Sequence, residues 1–406
     1  MSASSAGAGG AASARGLLPA DAERATLVGR VWDPETRGPR PVVVRGDEVV
    51  DLFDVAPTVA GLLELDDVVE RVRAAPPGRR WRIDELRDAP EGSDPAVARL
   101  LAPVDLQVIK ACGVTFVDSM LERVIEERCA GDPERAAEVR AAVGSAIGEV
   151  VGSVVPGSAE AARVKEVLMS RELWSPYLEV GLGPDPEVFT KGPVLSAVGP
   201  GAAVGVPRFS RWNNPEPELV LVVDSHGRPR GATLGNDVNL RDVEGRSALL
   251  LGMAKDNTAS TALGPFVRLF DEHLTIGALR SERIALRVDG AGDGFVLADE
   301  NDVGRLSRTF EELVGAAWGE HHQYPDGFVL FTGTLFAPTR DREVPGGGFT
   351  HRAGDTVAIS SPHLGTLANV VRPTEEVPRW ELGLRSLVEY LCAQAGGDTR
   401  SIVTHP

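Results

Sequence analysis

The chain has 406 residues, room for one large domain or two ordinary ones, and its 59 acidic against 42 basic residues leave a net charge of −17 that argues against nucleic-acid binding and against attachment to anionic membranes. Apolar residues reach 43% and glycine adds 45 more, so a large core is available, global disorder is excluded, and no apolar run is long enough to cross a bilayer. Cys112, Cys129 and Cys392 are far apart with no CxxC, which points to a reducing, cytoplasmic setting and excludes a zinc ribbon.

Residues 1–16 are Ala/Ser/Gly-rich without a basic or apolar leader region and read as a disordered tail. Residues 17–98 read as a small N-terminal α+β unit. Within it, Arg40–Leu52 spells two short strands around Arg45-Gly46-Asp47, residues 59–75 spell a helix, and 91–95 a linker. Residues 99–395 form the main domain, with a helical part over 118–172. There Met120, Leu121, Val124 and Ile125 share one helix face up to Gly131. A second helix runs from Asp132-Pro133 to about Val155, and a third over 158–172. From 178 onward short β-branched runs dominate: 217–223, 230–238, 283–288, 327–333, 355–360 and 365–371. A last helix covers 381–394. The order is no βα repeat, so the class is α+β with a mixed, mostly antiparallel sheet. No GxGxxG or Walker motif is present.

Asn213-Asn-Pro-Glu-Pro-Glu-Leu carries Glu216 and Glu218 just before strand formers, and the two prolines forbid helix interior. Residues two apart in an extended chain share a face, about 7 Å apart at Cα. A hairpin turning at Asp224-Ser225-His226-Gly227 would return Asp237 beside them. Three neighbouring carboxylates repel unless a cation lies between, and oxygen ligands suit Mg²⁺ or Mn²⁺. Only four of the 42 cations are lysine: Lys110, Lys165, Lys191 and Lys255. A lysine retained against that preference is a candidate for proton chemistry, which guanidinium cannot do.

These residues resemble the fumarylacetoacetate hydrolase superfamily. The pattern is Pro-Glu-Pro-Glu (215–218), then Gly-Asn-Asp-Val-Asn-Leu-Arg-Asp (235–242), Lys255 and Leu-Gly-Pro-Phe (263–266). The stretches 186–201, Phe-Thr-Gly-Thr (331–334) and 353–371 agree with it. Within that superfamily the chain is most similar to bacterial 2-keto-3-deoxy-pentonate dehydratases, through 100–127, 173–193 and 322–338. The resemblance implies a β-roll or sandwich catalytic domain with a helical lid, and a homodimer or homotetramer. It implies Glu216, Glu218 and Asp237 as metal ligands, Lys255 as the active-site lysine, and Gly333 and Thr334 as holders of a substrate carboxylate. The lid pattern falls on Gly113 to Glu122, with Thr115-Phe116 and Ser119 standing where the family carries Asn-Tyr and His.

The implied function is metal-dependent dehydration of a 2-keto-3-deoxy-pentonate, of D-xylonate or L-arabonate type, to 2,5-dioxopentanoate in pentose catabolism. Glu122 is the candidate base for the C3 proton, desolvated and raised in pKa under a lid. Ser119 and His322 are candidate substrate contacts. Glu122 and Ser119 also fit a helix capping box. Lys191 is structural or approaches the site, and Lys110 and Lys165 serve surface or packing roles. Asn236, Arg241 and Asp242 support the metal loop. The alternative is a hydrolase or decarboxylase cleaving a C–C bond of a diketo acid. Ser119 separates the two, since a hydroxyl has no useful pKa near neutrality.

Overall fold

Every residue from Pro217 to Val223 is buried, as a strand of Leu and Val covered on both faces requires. That strand lies inside the larger of two sheets. The computed structural model describes residues 16–87, 94–141, 154–336, 338–342 and 348–396. The expected tail but for Gly16, most of the expected linker, and 142–153 of the second expected helix lie outside the described residues.

In chain order, β1 (Leu27–Asp33), β2 (Gly38–Arg45) and β3 (Glu48–Asp51) form a meander. Helices α1 (Val59–Leu63) and α2 (Val68–Arg73) follow, then β4 (Arg80–Arg82), α3 (Ile83–Arg87), β5 (Arg99–Leu101) and β6 (Val108–Gly113). The helical part holds α4 (Val117–Arg128), α5 (Ala159–Ser170) and α6 (Pro176–Leu182). Next come β7 (Glu187–Gly192), β8 (Ala203–Val206), β9 (Asn213–Asn214), β10 (Pro217–Val223), β11 (Pro229–Asp237) and β12 (Asn239–Leu240). Helices α7 (Arg241–Glu244) and α8 (Leu251–Lys255) lead into β13 (Thr261–Leu269). The chain continues through β14 (Arg283–Asp289), β15 (Val296–Asp302), α9 (Phe310–Ala317) and β16 (Phe328–Phe331). It closes with β17 (Thr356–Ser361), β18 (Gly365–Pro373) and α10 (Leu384–Gln394).

The large sheet runs β4-β3-β2-β1-β13-β11-β10-β16-β6-β7, with β5 on β1, and is antiparallel except at β16–β6. The second sheet runs β15-β14-β17-β18-β8. Leu219, Leu221 and Val223 of β10 pack with Leu286 and Val288 of β14 and Ile359 of β17, between the two sheets. Val220 and Val222 point the other way, onto Leu62, Leu63, Val68 and Val72 of α1 and α2. Each such side chain contributes about 1.5–3 kcal/mol by leaving water.

Three features differ from the pattern reading. The boundary at 98/99 does not separate two sheets: β1 pairs with β13, Val28 opposite Val267, so the N-terminal strands extend the main sheet. Residues 59–75 make two helices. Thr58 caps the first by accepting from Gly61 N, and the chain breaks before Asp67, the residue that starts the second. Strand β13, at the sheet's middle, contains Gly264-Pro265, a signal against a central strand. A register irregularity absorbs the proline, with Ala232 opposite Arg268 but Leu234 opposite Gly264.

Candidate active site

The β10–β11 hairpin sets the site. Asp224 accepts from the backbone N–H groups of His226 and Arg228, which closes the turn. Pro217 then pairs with Asn236 and Glu218 with Gly235, and Asp237 N donates to Glu216 O at 3.0 Å. Glu216, Glu218 and Asp237 thus share one end of the hairpin. Each offers a carboxylate oxygen, all within 4.8 Å of one another, and each residue is at most 2% exposed.

Cations surround this cluster. Lys255, at the end of α8, donates to Glu216 Oε2 at 2.5 Å and to Asp237 Oδ2 at 3.1 Å. Lys191 on β7 lies 3.0 Å from Asp237 Oδ1 and also donates to Ser260 Oγ and to the backbone oxygens of Val238 and Lys255. Lys191 is therefore both a tie between loops and a neighbour of the site. From α4, Arg123 donates to Glu216 Oε1 and to Glu126 Oε2.

Gly333 N donates to Glu218 Oε2 at 2.7 Å and Thr334 Oγ1 to Glu218 Oε1 at 3.2 Å. Gly333 has φ +103, and Thr115, which donates to Thr332 O, fills the space beside it. Burial and the charges of Asp237 and Glu216 push Glu218 well above the usual carboxylate range. Burial acts the same way on Glu216, yet Arg123 and Lys255 outweigh it and its net shift is downward.

Glu122 differs from the expectation of a raised pKa. Burial pushes it up, but Arg241 and Arg140 outweigh that and hold it below the usual range. Arg241 donates to Glu122 Oε2 and to Glu126 Oε1, both at 2.6 Å, and Arg140 reaches the same Glu122 oxygen at 2.9 Å. The capping box is absent as well. The cap residue of α4 is Phe116, and Ser119, inside the helix, donates to Phe116 O at 2.9 Å.

His322 lies at the other end of the sheet from the carboxylates. Strand β16 runs antiparallel to β10, with Phe328 opposite Val223 and Phe331 opposite Val220. Residues before 328 therefore fall at the hairpin turn, where Trp318 Nε1 donates to Ser225 O and the His322 ring packs on Tyr324. The length of β10 puts roughly 20 Å between that turn and Glu216. The nearness of His322 to Phe-Thr-Gly-Thr in sequence misleads because a whole strand intervenes.

Of the supporting residues, Asn236 Oδ1 accepts from Glu216 N, whereas Asp242 accepts from Ser210 and Arg211 away from the cluster. Lys110 meets Thr190, and Lys165 pairs with Glu179 on the surface. Pattern reading passed over Arg123, Glu126, Glu187 and Glu244. The first two fall outside the expected apolar helix face, yet both are buried. A signal existed in the spacing of Glu122 and Glu126, one helical turn apart, both of which meet Arg241. Glu244 is buried beside Arg123 and burial pushes it up to about 7. Glu187 is raised mainly by burial and feels Lys255 and Arg123.

The donor set fits a hard divalent cation. Every available ligand atom is a carboxylate oxygen. Asp237 Oδ1 is buried and accepts no hydrogen bond, although the Lys191 ammonium is near. An ion held by Glu216, Glu218 and Asp237 would relieve their mutual repulsion.

The family model for fumarylacetoacetate (FAA) hydrolase C-terminal matches residues 160–372. The chain belongs to this family. Hydrolase-family relatives include a 2-dehydro-3-deoxy-D-arabinonate dehydratase of Saccharolobus solfataricus, 32% identical over 47% of this chain and 60% of the relative. A probable 2-keto-3-deoxyxylonate dehydratase of Haloferax volcanii is 34% identical over 48% of this chain and 63% of the relative. The matches thus span less than two thirds of either relative. A solved structure of 2-keto-3-deoxy-D-arabinonate dehydratase, complexed with magnesium and 2,5-dioxopentanoate, superposes with a TM-score of 0.59, at 21% identity over 87% of this chain and 100% of that one. The mixed, mostly antiparallel architecture is the family's fold. Among the described residues no helix is long and apolar enough to cross a membrane.

Proposed function

We propose that the protein is a metal-dependent lyase that dehydrates a 2-keto-3-deoxy-pentonate to 2,5-dioxopentanoate. The observation that carries this reading is the buried convergence of Glu216, Glu218 and Asp237 beside Lys255, with Ser119 turned into its own helix. The names of both curated relatives support it. A 2-keto-3-deoxy-pentonate keeps a stereocentre only at C4, and the name of the Saccharolobus solfataricus relative carries the D series there. The D compound is therefore the expected substrate over its L-arabonate counterpart.

Mg²⁺ held by Glu216, Glu218 and Asp237 would supply Lewis-acid polarisation to the 2-keto acid. The Gly333 N–H and the Thr334 hydroxyl, both directed at Glu218, would orient the substrate carboxylate. Glu122, released from Arg140 and Arg241, would take the C3 proton at a carboxylate oxygen. Lys255 Nζ would deliver a proton to the departing C4 hydroxyl, which leaves as water. Loss of one C5–H proton and of the C5 hydroxyl proton, matched by protonation at C3 and at C4, then yields the open-chain semialdehyde. Ser119 cannot activate water for C–C hydrolysis, because its hydroxyl has no pKa near neutrality and donates to Phe116 O.

The test uses protein stripped of metal and resupplied with Mg²⁺. It is offered the D and L 2-keto-3-deoxy-pentonates and an acylpyruvate in separate reactions. Semialdehyde is followed through a coupled aldehyde dehydrogenase and C–C cleavage by pyruvate release. Metal-dependent semialdehyde from the D compound is the expected result. Pyruvate from the acylpyruvate, with both sugar acids untouched, would sink the dehydratase reading.

A further inference from the structure

A second cavity lies apart from the carboxylate cluster, with none of Glu216, Glu218, Asp237 and Lys255 in its lining. A cavity of about 500 Å³ is bounded by β1, the loop from Leu195 to Ala203 and the segment Val377–Leu382. That volume lies in the range of small-molecule sites. Its wall carries Arg30, Arg37, Arg87, Arg99 and Arg379 against one carboxylate residue, Glu381. In a chain of net charge −17 this concentration of guanidinium runs against the composition.

Arg30 decides what the cavity is for. It is 4% exposed, and its Nε donates to Ala102 O at 2.8 Å. Among the described residues its two terminal nitrogens meet no protein acceptor and no carboxylate pairs with it. Asp105, the acid it feels, spends its oxygens on the backbone N–H groups of Val59, Ala60 and Leu106. A buried cation left without a counter-ion is costly, so a site that keeps one beside a cavity is built to receive an anion. Arg37, Arg99 and Arg379 likewise pair with no carboxylate among the described residues. The Arg99 guanidinium lies over the Trp32 ring at 5.1 Å, and Trp380, 44% exposed, adds a second flat face. Two wall residues, Leu195 and Ala259, hold left-handed φ values of 63° and 59° without being glycine, a form of strain common at ligand clamps.

We propose that this cavity binds a small organic anion bearing two or more phosphate or carboxylate charges, at a site separate from Glu216, Glu218 and Asp237. One loop links the two. Thr258 and Ala259 line the cavity, and the next residue, Ser260, donates from its hydroxyl to Lys255 O at 2.8 Å. A bound anion therefore sits against the loop that carries Lys255.

Calorimetric titration of the metal-stripped full-length protein with inorganic pyrophosphate, ADP and citrate tests this. At least one is expected to bind saturably with a Kd below about 1 mM. Pyrophosphate or ADP alone would mark a phosphate site, and citrate alone a carboxylate site. The exposed pair Arg37→Gln/Arg379→Gln should weaken that binding by about tenfold, and Arg30→Gln should abolish it. Glu218→Gln should leave it unchanged. No saturable binding of any of the three anions up to about 5 mM overturns the proposal. So does binding indifferent to all three arginines, or binding lost in Glu218→Gln.

Discussion

The Thr115 hydroxyl occupies the space that a side chain at position 333 would need: a β-carbon built on Gly333 falls 1.8 Å from Thr115 Oγ1. Thr115 also donates to Thr332 O at 2.7 Å, so α4's approach and the strand end that bears Gly333 are locked together. Gly333 N in turn reaches Glu218. Gly333→Ala is expected to cost about 1–3 kcal/mol of stability and most of the activity. Adding Thr115→Ala should recover part of the stability by removing the clash, leaving the strain of the positive φ. Urea unfolding of the single and double variants measures both.

Mg²⁺ added to stripped protein should raise the melting temperature, because an ion held by the proposed carboxylate site would be bound by the folded protein and not by the unfolded chain. At about 100 times the Kd the gain is about 2.7 kcal/mol. Glu218→Gln should lower Mg²⁺ affinity on the order of 100-fold and erase the thermal shift at the same concentration. An undiminished shift in that variant would move the ion elsewhere.

Glu122 is held low by Arg241 and Arg140 against the effect of burial. Arg140 is the more exposed of the two arginines. Arg140→Ala removes one of the charges that lower the carboxyl, so the acidic limb of the kcat profile should move to higher pH, by up to about one unit. Glu122→Gln should remove that limb with most of kcat. An acidic limb at the same pH in Arg140→Ala would assign the titration to another group.

His351 is buried, with Nδ1 3.1 Å from Asn213 Oδ1, and burial pushes its imidazole down to about 3 from an ordinary 6.5. Between those values the unfolded chain takes up a proton that the folded protein refuses. Stability therefore falls as pH drops through that window, by at most about 1.4 kcal/mol per pH unit. Denaturant unfolding between about pH 7 and pH 5 should show the loss, and His351→Leu should flatten it. Equal slopes in the two proteins would give the effect to other groups.

His322→Ala should change kcat/KM by less than about twofold, since a side chain roughly 20 Å from Glu216 makes no contact with the substrate. A loss of an order of magnitude would place that loop at the site.

Much of the carboxylate site was legible along the chain because it is a matter of local geometry. The period of two in an extended strand puts Glu216 and Glu218 on one side, and a turn at Asp224–Gly227 returns Asp237 opposite Glu216. Strand β10 was legible in its unbroken run of strand formers. What the chain alone left undecided depends on contacts between distant segments. Arg123 and Glu126 lie outside the apolar helix face that the spacing marks, and become buried only when α4 is laid against the hairpin. Glu122 was expected to be raised by burial, but Arg241, far along the chain, brings the opposing charge. Arg30 joins Arg99 and Arg379 in one cavity only when β1 meets the C-terminal segment. Position along a strand is set by spacing and sterics, which the sequence determines by itself. The charge that each buried group feels is a sum over neighbours, and only the tertiary structure decides who they are.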